Sequence, residues 1–407
     1  MELLSDVFLY VIEAGLQKNT DFATMTFAFL QVCKRWNEVA IGSPQLWVWL
    51  VPGTFEAWDL FKSRSKDAPL CLTWETWLPE STLNILTDTE VPRRIRQLDF
   101  TGTHEQLGPI LSALDSRSTS TTSSIRLQRS RYGENDNREH LTRFFSSSFP
   151  KLSKLDIHDF LPDSTSSILT TSNLTSLKLS LTYNYDHRYT RSQFLQVLQQ
   201  HPNLGKLDLM GGLFSIENSG GLVPVVLPRL VDLKLSGPDE VIEGFIDLIS
   251  MFSPLHDVTI DFGYGSGPSL AARVNTTKKL LTAYYGCKGL EYPRKATHLT
   301  VSSPYSWQED LTINAKFRST SVSHPIYNLE LHFSGMMNAQ AQKIIPLFPL
   351  NHVREYSVGR LDLSMDDWRR TFRKMKGLLH LQSGDMDIGP MLNALDLVDE
   401  GVHRAAT

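Results

Sequence analysis

The sequence predicts an α/β fold: a short N-terminal helical head, then an irregular repeat array with parallel strands on the concave face and helices on the convex face. Three observations carry this expectation. A six-position pattern, apolar-x-x-apolar-x-apolar, recurs from residue 95 almost to the end of the 407-residue chain. Stretches with the 3.6-residue apolar period of a helix lie between its copies. The first fifty residues instead hold two amphipathic helical segments. The expected organisation is a head over residues 1–50, a bridge and first capping segment over 51–94, the array over 95–398 and a tail over 399–407.

Composition narrows the function classes. The 40 Lys and Arg against 44 Asp and Glu give a formal charge of −4, which offers no cationic stripe for a nucleic-acid partner. Hydrophobic residues at 41% and charged residues at 21% are ordinary globular usage. Cys33, Cys71 and Cys287 are too few and too scattered for a disulfide framework or a cysteine-based zinc site. No metal or cofactor is expected. The apolar N-terminal run carries Glu2, Asp6 and Glu13 and lacks a basic start and a cleavage site, so it does not read as a signal peptide. No run approaches the ~18 uncharged apolar residues of a membrane span. The expectation is a cytoplasmic or nuclear protein with no membrane partner.

Residues 2–14 read as the first helix, with Leu4, Phe8, Val11 and Ile12 at i, i+4, i+7 and i+8 and with Leu3 and Val7 widening the apolar face. A second helix is expected over about 22–41, where Phe29, Cys33, Trp36 and Ala40 repeat the spacing. Gly42-Ser43-Pro44-Gln45-Leu46-Trp47 then breaks the chain and supplies a large apolar anchor. So much apolar surface on so few turns cannot all be buried within the head.

The run Glu2-Leu3-Leu4-Ser5-Asp6-Val7-Phe8, then Val32-Cys33-Lys34-Arg35-Trp36, then Ser43-Pro44-Gln45-Leu46-Trp47 resembles the F-box, most closely that of the F-box-like proteins of basidiomycete fungi. The Ser63-Arg64-Ser65 and Pro69-Leu70 segments resemble the continuation of that family. The resemblance implies docking on the Skp-type adaptor of a cullin ubiquitin ligase. It maps the apolar contact surface onto Leu3, Leu4, Phe8, Val32, Cys33 and Trp36. The same side chains could equally form the core of the small head.

The array is built from copies such as Leu152-Ser153-Lys154-Leu155-Asp156-Ile157, Leu174-Thr175-Ser176-Leu177-Lys178-Leu179, Leu204-Gly205-Lys206-Leu207-Asp208-Leu209 and Leu230-Val231-Asp232-Leu233-Lys234-Leu235. Weaker copies start at Ile95, Leu255, Ala296, Ile326 and Val353; those at Thr122 and Leu378 are the weakest. A mean spacing of about 28 residues is that of a leucine-rich-repeat solenoid. Helices are expected over Arg191–Gln200, Asp239–Met251, Lys278–Tyr285 and Asp366–Lys376, with capping boxes at Thr190–Gln193 and Ser364–Asp367. Strand, crossover helix and strand at this spacing call for a parallel sheet. The ninth position of each unit, usually Asn or Cys in such repeats, holds Phe160, Thr182, Gly212, Pro238, Gly263, Pro304 and Ser334, so loops of differing shape are expected. Gly263–Pro268 and Ser116–Ser124 read as loops. Tyr183–Tyr189 reads as a loop that either meets a partner or covers a helix edge.

Strand positions between the buried rows should face solvent. Stacking the units gives one column, Asp156, Lys178, Asp208, Lys234, Thr259, Thr300, Glu330 and Ser357, whose alternating charges can neutralise one another. The preceding column, Lys154, Ser176, Lys206, Asp232, Asp257, His298, Asn328 and Glu355, runs from basic to acidic. These charges are the candidate contacts for a target protein. The sequence holds no phosphate-binding glycine loop, zinc-protease motif or nucleophile elbow, so no catalytic residue is assigned. The function the F-box resemblance implies, with the array as the target-binding part, is that of a substrate receptor in a Skp–cullin–F-box-type ubiquitin ligase, itself no enzyme. The alternative is a repeat scaffold unconnected with ubiquitin transfer.

Overall fold

The computed structural model describes residues 2–16, 22–50, 55–75, 91–115, 121–130, 139–170, 173–182, 188–214, 225–249, 257–262, 270–285, 295–302, 310–318, 326–334, 340–359, 361, 363–383 and 389–396. The chain is α/β, with a mostly parallel sheet and helices between its strands, in two compact units, Met1–Lys178 and Leu179–Thr407.

The first unit opens with three helices, α1 (Glu2–Leu16), α2 (Phe22–Val32) and α3 (Lys34–Gly42). The single helix expected over 22–41 is broken at Cys33, whose extended backbone (φ −160°, ψ 167°) starts α3. The break is tied by the Asn37 side chain, which donates to the Leu30 carbonyl at 3.0 Å. An apolar stripe survives a one-residue interruption, so periodicity alone could not reveal it. Phe8 is fully buried in the head, stacked on Phe29 at 4.3 Å and tilted against Trp36 at 5.0 Å.

The Pro44–Trp47 turn anchors the head to the next helix. Trp47 is fully buried, and its indole N–H donates to the Ala40 carbonyl at 2.8 Å. The Phe61 ring meets it edge-on at 5.1 Å and the Arg64 guanidinium lies 4.4 Å from the ring centre, a stacked cation on a desolvated indole. Both partners come from α4 (Phe55–Ser65). The strand series begins well before residue 95. β1 (Trp49–Leu50) pairs in parallel with β2 (Leu70–Glu75), and β2 with β3 (Ile95–Gly102), which α5 (Val91–Arg94) precedes. The segment expected as a bridge thus holds part of the sheet, with Leu70 and Leu72 completely buried. The unit continues through α6 (His104–Asp115), β4 (Ser124–Arg129), α7 (Glu139–Ser146), β5 (Lys154–His158) and α8 (Ser167–Thr170) to β6 (Ser176–Leu181), which spans the boundary. β1 to β5 lie side by side in sequence order, all parallel.

A column of hydroxyls stitches the strand entries of this unit. The Ser153 backbone N–H and hydroxyl both donate to the Ser123 carbonyl, at 2.9 and 3.1 Å, and those of Thr175 donate likewise to Ser153, at 2.8 and 3.0 Å. Thr121 and Thr122 hydroxyls donate to the Ile95 carbonyl. Ser and Thr ahead of β4, β5 and β6 thus add side-chain bonds to backbone carbonyls at the entry of the preceding strand. A capping box also starts α6. The Gln106 side chain accepts from the Thr103 N–H at 2.9 Å, and the Gln106 N–H donates to the Thr103 hydroxyl at 3.3 Å.

The second unit runs through α9 (Arg191–Gln199), β7 (Lys206–Gly211), β8 (Asp232–Gly237), α10 (Asp239–Ile249), β9 (Asp257–Phe262) and α11 (Leu270–Tyr285). It continues with β10 (Lys295–Ser302), β11 (Asp310–Arg318), β12 (Ile326–Ser334), α12 (Ala341–Ile344), β13 (Glu355–Val358), α13 (Met365–Lys374), β14 (His380–Ser383) and α14 (Gly389–Asp396). All eleven copies of the six-position pattern become strands, β3 to β10 and β12 to β14. Their order corrects the expectation of a wholly parallel sheet. β12 pairs with β9 and β10 with β13, while β11 lies between them, antiparallel to both neighbours. The cause is β11 itself. Leu311, Ile313 and Ala315 alternate with polar residues and are completely buried, so this additional strand has its own core face and must be paired on both edges.

The Thr190 capping box forms as expected, with both reciprocal bonds. At Ser364 only half of one forms. Its hydroxyl accepts from the Asp367 N–H, but it also donates to the Asp367 carboxylate at 2.6 Å. Aspartate is one methylene short of the reach that Glu uses. Tyr189 is buried, stacked on Phe194 at 5.9 Å, so the end of the 183–189 loop belongs to the core. Residues 116–120, 183–187 and 263–268 of the expected loops lie outside the described residues.

Candidate interaction surfaces

The head presents two apolar stripes on one helix. Leu4, Phe8 and Ile12 turn inward, Phe8 and Ile12 being fully buried. Leu3, Val7, Tyr10 and Val11 fall at i, i+4, i+7 and i+8 and lie in solvent, Leu3 82% and Tyr10 73% exposed. This corrects the reading that put Val11 on the inner face. It also divides the six expected contact residues. Phe8 is core; Leu4 and Trp36 are half-buried; Leu3, Val32 and Cys33 are exposed. Tyr10 and Val7 complete the outer stripe. Their signal was the second apolar row of α1, which spacing shows without saying which row turns inward. Contiguous apolar surface rimmed by polar side chains marks an interaction site, and Asp6 beside this row is exposed.

On the sheet of the first unit, the solvent-facing column is a closed charge network. Arg126 reaches Asp99 at 3.6 Å and Asp156 at 3.5 Å, and Asp156 also meets Lys178 at 4.0 Å and the His158 Nε2 at 2.8 Å. Strand register makes the contacts inevitable, since Asp99, Arg126 and Asp156 are direct neighbours on β3, β4 and β5. Each exposed pair contributes little, but together they leave this face nearly neutral. Arg126 was missed because it sits in one of the two weakest copies of the pattern, although its position there, between two apolar residues, matches that of Asp156. Lys154 is exposed and forms no ion pair among the described residues.

In the second unit Lys206 pairs with Asp232 at 2.7 Å, and the bond to that carboxylate holds the ammonium above its ordinary pKa. Asp208 is buried and in register with exposed Lys234. Asp257 is exposed. Glu330 does not neighbour Thr300 as the simple stacking expected; on β12 it lies between Thr259 and Asn314, because β11 intervenes between β12 and β10. Its carboxylate is 3.4 Å from the His332 Nε2, whose Nδ1 is 3.2 Å from the Thr312 hydroxyl. His298 on β10 is in register with Lys316 and Glu355, so the column's basic-to-acidic run is interrupted by Lys316. Among the described residues no three His, Cys, Asp or Glu side chains are grouped to hold a metal ion, and no helix is long and apolar enough to cross a membrane. The sequence matches no protein-family model, and no curated protein is significantly similar to it.

Proposed function

We propose that the chain is a substrate-receptor subunit of a Skp–cullin–F-box-type ubiquitin ligase, with an F-box-like head and a degenerate leucine-rich-repeat array. The observation that carries this reading is the outward stripe Leu3, Val7, Tyr10 and Val11, backed by a helix whose opposite face is already packed on Phe29 and Trp36. An aromatic and three aliphatic side chains on one helical face suit burial in an adaptor groove, with Tyr10 as the anchoring ring. The subunit's contribution would be proximity, holding a target lysine near a conjugating enzyme, and it needs no reactive residue of its own. The target would meet the solvent face of the strands, where Lys154, Lys234 and Asp257 are exposed. The scaffold alternative has no observation of its own in its favour.

The test is a binding titration of the purified chain against a Skp-type adaptor. Wild type is expected to bind, and Val7→Glu and Tyr10→Glu to abolish binding while melting as wild type does. A wild-type chain that binds no adaptor, or charged variants that bind equally well, would exclude the ligase reading and leave the scaffold.

A further inference from the structure

A second polar feature lies beyond the head and the strand face. The C-terminal end of α4, the turn after it and α5 enclose an open cleft of about 660 Å³, lined by Asp59, Lys62, Ser63, Lys66, Asp67, Arg93 and Arg94. Its floor is rigid. The Arg94 Nη2 donates to the Ser65 hydroxyl at 2.7 Å and to the Ala68 carbonyl at 2.9 Å, and its Nε to the same carbonyl at 3.2 Å. Ser65, fully buried, donates its own proton to the Lys62 carbonyl at 2.9 Å. The guanidinium of Arg94 is therefore occupied in clamping the α4–β2 turn.

The helix dipole accounts for a cation in the last turn of α4, which Lys62 and Arg64 already supply, Arg64 against the Trp47 ring. It does not account for Lys66, held past the helix end with φ 49°, nor for Arg93, delivered from a different element. Both are exposed and form no ion pair among the described residues. Four cations against two carboxylates leave the cleft with an excess of two positive charges. We infer that this cleft binds a phosphate-type dianion. A single carboxylate would add little to what Asp59 and Asp67 already supply, whereas three acceptor oxygens carrying nearly two charges can take donors from Lys62, Lys66 and Arg93 together. The phosphate could be inorganic or carried on a phosphorylated side chain.

The site is tested by calorimetric titration of the full chain with inorganic phosphate and, separately, with a phosphoserine peptide. Saturable binding is expected, weakened about tenfold or more by Lys66→Asn or Arg93→Gln and unchanged by Lys343→Gln at an exposed position on α12. Asn is chosen at 66 because it tolerates positive φ, and Arg93→Lys, which keeps the charge, should retain binding. Tighter binding of the peptide assigns the site to a phosphorylated protein; equal affinities assign it to free phosphate. Absence of saturable heat with both probes, or equal weakening by Lys343→Gln, overturns the inference.

Discussion

Phe8→Ala separates core from contact surface on α1. Phe8 is fully buried, with its ring 4.3 Å from Phe29 and 5.0 Å from Trp36. Removing a ring from such a site costs the transfer of its carbons plus the void left behind, about 3–5 kcal/mol for Phe→Ala. That is a large share of the roughly 5–15 kcal/mol that usually holds a domain folded, so the head should open locally. Val7, one residue earlier but 51% exposed, should lose less than about 0.5 kcal/mol as Val7→Ala. The assay is amide hydrogen exchange over residues 2–42, alongside chemical denaturation. Phe8→Ala should lose protection across α1, α2 and α3; Val7→Ala should keep it. The reasoning fails if Phe8→Ala leaves exchange unchanged, or if Val7→Ala costs as much as Phe8→Ala, because either result would mean that the wrong face of α1 packs inward.

Tyr356 is 1% exposed, wedged among Trp368 and Phe372, and its hydroxyl has no hydrogen-bond partner among the described residues. Tyr356→Phe should therefore stabilise by about 1 kcal/mol, and a loss of similar size in a denaturant titration would disprove it. Burial also holds the phenol pKa above its ordinary value, so its contribution is intact below about pH 10 and is lost as the pH rises further, and the variant should resist alkaline unfolding. Gly211 sits at φ 79°, and a Cβ there would overlap the Leu181 carbonyl oxygen, so Gly211→Ala should cost at least about 2 kcal/mol; a loss under about 0.5 kcal/mol in the same titration would refute this. The Lys279 ammonium, 2.9 Å away and hydrogen-bonded to it, holds Glu243 below its ordinary 4.5. That stabilisation is present above pH 4.5 and lost as the pH falls through the lowered value, so Glu243→Gln should lower stability slightly at neutral pH, and the difference from wild type should vanish as the pH falls below 4.5. Burial pushes the Cys71 thiol up to about 11 while Cys33 is exposed, so site-resolved alkylation at about pH 7.5 should label Cys33 and spare Cys71.

The strands were legible because each copy of the pattern places three apolar side chains on the buried face, and residues such as Leu174, Leu177 and Leu179 are all completely buried. β11 was not. Its Leu311, Ile313 and Ala315 alternate with period two, but the segment lacks the leading apolar residue that marked the others, so the six-position pattern passes over it. β1 and β2 escaped for a similar reason, with Trp49–Leu50 too short to show any period. In the head, helicity was legible and orientation was not. When both rows of α1 are apolar, spacing identifies two faces but only packing against Phe29 and Trp36 selects the inner one. The hydroxyl column at Ser123, Ser153 and Thr175 depends on backbone contacts between segments 22–30 residues apart, which local sequence does not encode.

The ion pairs decide which strand-face charges are worth testing for target binding. Lys178 and Arg126 both reach Asp156, and Lys206 is bonded to Asp232. Reversing Lys206 to Glu would set two carboxylates side by side on adjacent strands, so weakened target binding in that variant could come from the sheet as readily as from the partner. Lys154 is exposed, forms no ion pair among the described residues and is in register with Ser124 on β4, so reversing it changes the field presented to a partner with little change in the fold, whereas Lys234 is in register with Asp208 and shares the objection to Lys206. Under the proposed function, Lys154→Glu should lower capture of a bound target at low salt and leave the melting midpoint unmoved. The effect should fade as salt rises, since exposed charges are screened beyond about 10 Å at about 0.1 M. Unchanged capture at low salt would remove Lys154 from the target surface.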